Sequence, residues 1–402
     1  MTRISTANTY DAAIAQLSQR QIEMGLAQQQ LSSGKRVSRA SDDPTAAARA
    51  ERAIASMARV DATQRAVEAS RAVMSQSESS LGDAGELLHQ AREALLAAGN
   101  GSYSDAERQT LGNQLRGIRQ QLLSVANRGD GGDGFLFGGQ GSAEPPFVDA
   151  PGGVQFRGTG GQMQVVGNEA LPVTLDGAAT WLQARSGNGV FETRVIASTG
   201  TAWVGPGSVT DPAALTGSTY NIQFTVSAGV TTYSVLRDGA ATAQTNVPFT
   251  PDAQGTAIEV DGMAVNITGN PASGDDFELR PSTSTLSVFD ALDKAVTELS
   301  TLGRSTTQVV QSNVENLRNI DQVMGRLQTA RSGVGETLNR IDGVVSRLDT
   351  LKLQGEIERS TAEDLDMVRA ISDFQAKQSG YDAALKSYSL VQRLSLFHYL
   401  SG

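Results

Sequence analysis

The stretch LSSGKRVSRASDDPTAAA, residues 31–48, separates two segments that both have helical periodicity. Gly34 is a candidate C-cap for the first helix, because glycine accepts the left-handed backbone that often follows a helix. Ser41, Asp42 and Asp43 offer N-cap oxygens for the second helix, and Pro44 suits its first turn, where the N–H would be unbonded anyway. The stretch therefore predicts a defined joint between two helices.

Apolar and aromatic side chains recur at steps of three and four near both ends of the chain, which places them on one face of a helix. A helix of about 30 residues with one such face cannot bury that face alone, so both terminal helices are expected to need partners. We call these nine residues the assembly seam: Ile14, Leu17, Met24, Leu31, Ile371, Phe374, Tyr381, Leu385 and Tyr388.

Longer heptad patterns lie inside the terminal segments. One pattern consists of Val60, Val67, Met74, Leu81, Leu88 and Leu95, and another of Val310, Leu317, Met324, Leu338 and Val345 with Ile320, Leu327, Val334, Ile341 and Leu348. Residues 286–357 could form a single helix, and Ser104 with Glu107 has the spacing of a capping box. The fold class is therefore a long antiparallel α-helical rod or coiled coil, built from both chain ends. Which part of residues 45–127 faces the second pattern stays open.

The middle of the chain differs from the helical segments in proline content and in hydrophobic pattern. Of the 11 prolines, one is Pro44 and the other ten lie between Pro145 and Pro281. Residues 219–240 alternate apolar and polar side chains on either side of Ala228 and Gly229, the pattern of a β-hairpin. Residues 141–281 are therefore predicted to be an all-β domain inserted into the helical rod.

Composition excludes several classes of function. A net charge of -10 and a pI near 4.9 argue against nucleic-acid binding, and the absence of cysteine excludes disulfides and thiol chemistry. No apolar stretch suggests a cleaved signal peptide or a membrane span. Neither His89 nor His398 has a matching nucleophile or carboxylate, and GDGGDG at residues 129–134 lacks the Lys-Ser/Thr of a phosphate loop. We therefore expect no enzyme, no cofactor, no metal and no catalytic residue.

Five passages resemble a known family. The stretch SSGKRVSRASDDPTAAA closely resembles the joint after the first helix in bacterial flagellins and hook-associated proteins, whose family is the flagellin superfamily. The passages RIST, FLFGGQGSAEPPF, NPASGDDFELRP and SLFHYLSG resemble its hook-associated members more than its flagellins. The resemblance covers the helical frame and says little about residues 155–265. One departure is His398, where the family more often has an acidic residue.

The resemblance implies a three-part organisation. A terminal polymerisation domain would comprise residues 1–40 and 360–402, an α-helical rod domain residues 41–140 and 282–359, and the outer β domain residues 141–281. The assembly seam would line the inner tube of a helical polymer. Residues 32–44 would turn the chain from that tube to the rod, with Lys35, Arg36 and Arg39 as lateral contacts to acidic groups on neighbouring subunits.

The implied function is that of a hook-associated adaptor, a structural flagellar protein that joins the hook to the flagellin filament. The implied partners are hook-associated protein 1, flagellin, copies of the chain in a helical ring, and a cytoplasmic export chaperone that covers residues 362–400. The implied location is the extracellular flagellum, reached by type III export without a cleaved signal peptide. The alternatives are flagellin itself and, outside the superfamily, a secreted coiled-coil adhesin.

Overall fold

The long helices lie at the two ends of the chain, and the strands lie between them. The computed structural model describes residues 6–165, 170–252 and 254–400, with side chains for all of these except residues 6–10, 165 and 391–400. The helices are α1 (Thr6–Ser33), α2 (Pro44–Ala98), α3 (Asp105–Ala126), α4 (Gly177–Trp181), α5 (Val288–Ser300), α6 (Thr306–Glu363) and α7 (Met367–Leu400). The chain forms two compact units, one of Met1–Arg65 with Gly343–Gly402 and one of Ala66–Asp342.

Pairs of charged side chains fix the pairing of α2 with α6 that the heptads left open. In the unit Ala66–Asp342, Arg71 Nη2 lies 2.5 Å from Asp342 Oδ1, and Arg92 Nε lies 2.7 Å from Asp321 Oδ1. The residue numbers run in opposite directions along the two helices, so the helices are antiparallel. In the other unit, Lys352 Nζ lies 3.0 Å from Asp61 Oδ1, and a Cβ added at Gly355 would lie 2.7 Å from Met57 Cγ, so the helices are antiparallel there too.

Burial follows the predicted heptads on α2 closely and on α6 in part. All six predicted α2 residues are buried, and Met74, Leu88 and Leu95 are completely so. On α6 one predicted position is buried throughout: Ile320, Leu327, Val334, Ile341 and Leu348. The other predicted position is only half-buried, and Val323 and Val344 occupy the interior instead. The buried stripe on α6 is therefore narrower and slightly rotated relative to the heptad prediction.

The prediction of one helix over residues 286–357 is wrong. Helix α5 ends at Ser300, Gly303 has a positive φ of 71°, and α6 begins at Thr306. A capping box starts α6, since Gln308 N donates to Ser305 Oγ at 3.2 Å and Ser305 N donates to Gln308 Oε1 at 3.0 Å. The break allows α5 to pack its buried face against α3. Helix α3 itself begins with the predicted Ser104–Glu107 capping box.

The insert consists of antiparallel strands, as predicted. They are β1 (Phe147–Ala150), β2 (Gly153–Phe156), β3 (Gln164–Val165), β4 (Leu171–Pro172), β5 (Phe191–Ala197), β6 (Trp203–Val204), β7 (Ser208–Val209), β8 (Tyr220–Ser227), β9 (Val230–Arg237), β10 (Ala240–Ala241), β11 (Val247–Pro248), β12 (Thr256–Val260), β13 (Met263–Thr268) and β14 (Asp276–Pro281). One sheet has the order β10-β9-β8-β14-β5, and a second has the order β12-β13-β6.

The predicted hairpin is β8–β9. Ser227 pairs with Val230, and the two turn residues Ala228 and Gly229 have φ angles of 48° and 81°, as a type I′ turn requires. Its inward side chains Ile222, Phe224 and Val235 join one apolar core shared by both sheets. The insert therefore has a core of its own, distinct from the heptad stripes of the long helices.

The FLFGG passage contributes to a second aromatic cluster, which joins the insert to α5. Phe137 meets Trp181 edge-on with ring centroids 5.4 Å apart, and Trp181 stacks on Phe289 of α5 at 6.0 Å. Gly139 follows with a φ of +68°, and a Cβ there would collide with the Thr159 carbonyl. Only glycine fits this position, which explains the second glycine of the passage.

Candidate assembly surface in the terminal helices

The joint, residues 32–44, begins and ends as its sequence predicts. Gly34 terminates α1 with a φ of +69°, and its N–H donates to Gln30 O at 2.9 Å. Asp43 caps α2, because its Oδ1 accepts hydrogen bonds from Thr45 N at 3.2 Å and Ala46 N at 3.0 Å. Pro44 is the first residue of α2. The joint is therefore a structured turn with a cap on each side.

Asp42 has a different role from its neighbour. Its Oδ2 accepts hydrogen bonds from Ser38 N at 3.1 Å and Arg39 N at 2.8 Å. These bonds lie inside the joint and hold its backbone, whereas those of Asp43 lie in the first turn of α2. The two adjacent carboxylates therefore organise the joint and the helix separately.

The joint binds the segment between α6 and α7, which the sequence did not indicate. Arg36 N donates to Glu363 O at 2.7 Å, and Leu365 N donates to Gly34 O at 2.9 Å. The Arg36 side chain reinforces this contact, because its Nη2 donates to Ala362 O at 2.8 Å. The joint and the segment between α6 and α7 thus lie side by side and are hydrogen-bonded to each other.

Two of the three predicted lateral cations already have partners within the chain. Lys35 Nζ lies 3.1 Å from Glu363 Oε2, and Arg36 Nη1 lies 3.2 Å from Asp43 Oδ2. Among the described residues, the Arg39 side chain has no ion pair or hydrogen bond, and it is exposed. Arg39 thus differs from Lys35 and Arg36, which are both paired within the chain.

The pKa of Asp43 reflects these contacts. Hydrogen bonds from Ala46 N, from Thr45 and from Arg36 lower it from 3.8 to about 2. All three contacts favour the charged carboxylate, and exposure to solvent adds little penalty. The cap of α2 is therefore ionised throughout the mildly acidic and neutral range.

Helices α1 and α7 pack against each other and bury the assembly seam only in part. Near one end of the pair Leu365 N donates to Gly34 O, and further along a Cβ added at Gly380 would lie 2.7 Å from Arg20 Nη1, so the two helices run antiparallel. Six seam residues are half-buried: Leu17, Met24, Leu31, Phe374, Tyr381 and Tyr388. The other three are exposed, namely Ile14 at 51%, Ile371 at 46% and Leu385 at 41%. No seam residue is fully buried.

Helix α1 carries a second set of exposed apolar residues, of which Ile22 and Leu26 were missed by the sequence analysis. Ile22 is 61% exposed and Leu26 is 52% exposed. Ile22 lies eight residues after Ile14 and Leu26 four residues after Ile22, so the three residues share about one third of the helix circumference. On α7, Val368 is 79% exposed and Leu390 is 60% exposed. The sequence analysis did not find this set, because a spacing of alternating three and four residues selects only one stripe per helix. We call Ile14, Ile22 and Leu26 the outer line of α1.

Other predicted or possible sites give no evidence of binding chemistry. In GDGGDG, Asp130 Oδ1 accepts hydrogen bonds from Gly132 N and Gly134 N at 2.8 and 3.2 Å, so this carboxylate stabilises its own loop. Asp275 is buried and accepts hydrogen bonds from Thr199 N and Ala272 N, so it caps backbone groups. Within the described ranges, no group of three His, Asp or Glu residues could hold a metal ion. None of the described helices has the length and apolar character of a membrane span.

Part of the predicted surface lies outside the described residues. Residues 3–5 of the RIST motif and residues 401–402 are not described, nor are the side chains of residues 391–400, which include His398. The roles of the assembly seam and the domain boundaries stay predictions.

Comparison with known proteins assigns families to two parts of the chain. The family model of the bacterial flagellin N-terminal helical region matches residues 4–142, and that of the D2-like domain of flagellar hook-associated protein 1 matches residues 197–281. The first match covers α1 to α3 and the joint, and the second covers β6 to β14 with the end of β5.

Curated relatives match part of the chain. The flagellar hook-associated protein 3 of Salmonella typhimurium is 33% identical over 191 residues, which are 47% of this chain and 56% of that protein. The protein of the same name from Escherichia coli is 29% identical over 198 residues, 47% of this chain and 57% of that protein. The chain thus spans little more than half the length of the curated relatives it matches.

Solved structures match over a longer stretch. The flagellar junction protein FlgL of Legionella pneumophila is 26% identical with a TM-score of 0.65, over 71% of this chain and 96% of that one. FlgL of Xanthomonas campestris is 26% identical with a TM-score of 0.67, over 75% of this chain and 98% of that one. The predicted fold class is confirmed, and so is the resemblance noted at the joint and at both borders of the insert.

Proposed function

The chain belongs to the flagellin superfamily, and from that premise we propose that it is a structural protein of the bacterial flagellum, the adaptor that joins the hook to the flagellin filament. The relatives that support this proposal are named hook-associated protein 3 and flagellar junction protein. Its place would be the extracellular flagellum, at the boundary between hook and filament.

The observation that carries the proposal is the unfinished burial of α1 and α7. The two helices satisfy part of each other's apolar surface, but Ile14, Ile371 and Leu385 of the assembly seam stay exposed. A monomer gains nothing from such exposure, whereas a polymer buries it between neighbouring copies. Head-to-tail contacts of this kind repeat as an open helix, which is the symmetry of a filament.

The partners follow from the place of an adaptor. Hook-associated protein 1 would lie on the hook side, flagellin on the filament side, and copies of this chain would lie beside it in a helical ring. In that ring, Arg39 is the candidate lateral cation, because Lys35 and Arg36 have partners within the chain. Charge pairs at the edge of such contacts select orientation more than they add affinity.

Deleting the gene in its motile host tests the proposal. An adaptor predicts that intact flagellin is made and exported but lost to the medium, while hooks are present and bare. Restoring the gene on a plasmid should return flagellin to the cells. If the deletion instead leaves bare hooks and no other flagellin in cells or medium, the chain is the filament subunit, and the choice within the superfamily is wrong.

The assembly seam has its own test. Replacing both Leu385 and Tyr388 with Asp should leave the long helices folded yet abolish incorporation, because two carboxylates would be placed in an apolar contact. The matched control replaces Ser387 and Ser389 with Asp, which adds the same charge at neighbouring exposed positions of α7. Normal incorporation of the first variant would remove these residues from the assembly surface.

The export chaperone is a further part of the proposal. Before assembly, the exposed apolar residues of α7, such as Val368 and Leu390, are an aggregation hazard, and a helix-binding groove would cover them. We place its site within residues 362–400. A chain ending at Ala362 should lose binding to the purified chaperone, and equal affinity of the shortened and full chains would contradict this placement.

A further inference from the structure

The chain contains two Asn-Gly dipeptides in different surroundings, Asn100–Gly101 and Asn188–Gly189. In such a pair the glycine nitrogen can bond to Cγ of the asparagine, since no Cβ obstructs its approach. The side-chain amide then leaves as ammonia, and a cyclic succinimide forms. Water opens that ring to aspartate or isoaspartate. The balance is one water consumed and one ammonia released, with no oxidant or cofactor.

At the turn between α2 and α3, the Asn100 side-chain nitrogen and the Gly101 nitrogen are not held by hydrogen bonds to the described residues. Its side chain is exposed, and within the described part of the chain neither Asn100 Nδ2 nor Gly101 N has a hydrogen-bond partner. These two atoms are the leaving group and the nucleophile. The space around Gly101 is open, because an added Cβ would meet nothing within 4 Å.

Ser102 adds electrostatic help at the same turn. Asn100 Oδ1 accepts hydrogen bonds from Ser102 N at 3.1 Å and from Ser102 Oγ at 2.9 Å. Negative charge develops on this oxygen when the glycine nitrogen adds to Cγ. Donors already in place at that oxygen stabilise the charge, as in an oxyanion hole.

The second dipeptide is held at both reacting atoms. Gly189 N donates to Ser186 O at 3.2 Å, and Asn188 Nδ2 donates to Gly207 O at 3.3 Å. Asn188 is half-buried, and its own N–H donates to Phe191 O at 2.9 Å. Its Oδ1 also accepts hydrogen bonds, from Val190 N at 3.0 Å and Phe191 N at 2.9 Å, so donors at this oxygen do not distinguish the two sites. Attack would have to break several of these bonds first, so this turn protects a dipeptide of the same sequence.

We infer that Asn100 is a site of spontaneous deamidation in the folded protein and that Asn188 is spared. The inference is independent of the flagellar role. Conversion places a new carboxylate at the turn, near Arg108, whose Nη2 lies 3.5 Å from Asn100 O. The isoaspartate product also lengthens the main chain by one carbon, which disturbs the Tyr103 N to Asn100 O hydrogen bond of 3.1 Å.

Peptide mapping by mass spectrometry tests this on the full chain. The protein is incubated in mildly alkaline buffer, folded or in denaturant, and the mass change from amide to acid is followed in both peptides. In the folded protein, Asn100 should convert at least about tenfold faster than Asn188. In denaturant the two rates should agree within about a factor of two, because the turns are lost. A folded-state rate at Asn188 equal to or above that at Asn100 would overturn the inference.

Two variants separate the parts of the argument. Gly101→Ala adds a Cβ in open space at a residue without positive φ, so it should keep the fold and slow conversion by about tenfold. Ser102→Ala removes one donor to Asn100 Oδ1 and should slow conversion in the folded protein only. Conversion of Ser102→Ala at the wild-type rate in the folded state would contradict the role of Ser102.

Discussion

The outer line of α1 predicts a loss of assembly without a loss of monomer stability. The change is the double substitution Ile22→Ala and Leu26→Ala, at positions 61% and 52% exposed. Each substitution removes three carbon groups, worth about 0.8 kcal/mol apiece when buried. Because about half of that surface is still exposed, assembly would lose about 1.2 to 1.5 kcal/mol per side chain, together about 2.7 kcal/mol. This corresponds to about 100-fold weaker association.

The assay compares binding with stability. Hooks isolated from the host lacking the gene are titrated with purified protein, and the half-saturating concentration is measured. Thermal unfolding of the monomer should change by less than about 0.5 kcal/mol, since alanine is also a good helix former. The control is Ser18→Ala with Gln29→Ala, two exposed polar positions of α1. If the half-saturating concentration rises by less than about threefold, and by no more than in the control, the assignment of the outer line to assembly is refuted.

Three further predictions concern the helix cap, the helical core and one glycine. Because the pKa of Asp43 is depressed to about 2, the contribution of its cap to stability is complete above the unfolded pKa near 4 and is lost as pH falls through about 2. Amide exchange in the first turn of α2 should rise over the same pH range, and Asp43→Asn should remove this pH dependence. Met74→Ala, at a fully buried position, should lower the free energy of unfolding by about 2 to 5 kcal/mol in a denaturant titration. Gly139→Ala should lower the free energy of unfolding by more than about 1 kcal/mol, because φ is positive there and the new Cβ would collide with the Thr159 carbonyl. Gly325→Ala is the control: it lies inside α6 with open space around it and should be neutral or stabilising in the same assay.

Features that depend on adjacent residues were predictable. Gly34 and Asp43 end and begin helices for reasons contained within a few residues of sequence, namely positive φ and a side-chain oxygen next to free N–H groups. The turn at Ala228 and Gly229 is of the same kind. The buried stripe on α2 was also predictable, because a heptad repeated without interruption has one inward face.

Features that depend on residues distant in sequence were not predictable. Arg36 bonds to Ala362, 326 residues away, and nothing near the joint indicates that contact. A local sign of that segment did exist, because Asp366 caps α7 through Val368 N at 3.1 Å and Arg369 N at 3.2 Å. The break before α6 was missed because it lacks proline, although Gly303 and the Ser305–Gln308 capping box signal it.

The assembly seam shows why the site itself could be predicted only in part. Leu17 and Phe374 are half-buried, whereas Ile14 and Ile371 of the same seam are exposed. Spacing alone does not distinguish a face that packs on the partner helix from a face left open on the surface. That distinction depends on the position of α7 beside α1, which local periodicity does not contain. The exposed outer line of α1 became visible only in the folded chain.

Locating the protein on the flagellum tests the central claim most directly. Gold-labelled antibody against the β insert, residues 141–281, would be applied to intact flagella and viewed by electron microscopy, with flagella from the deletion host as the control for specificity. An adaptor predicts label confined to a narrow band where the hook meets the filament. Label along the whole filament would contradict the account and identify the chain as the filament subunit.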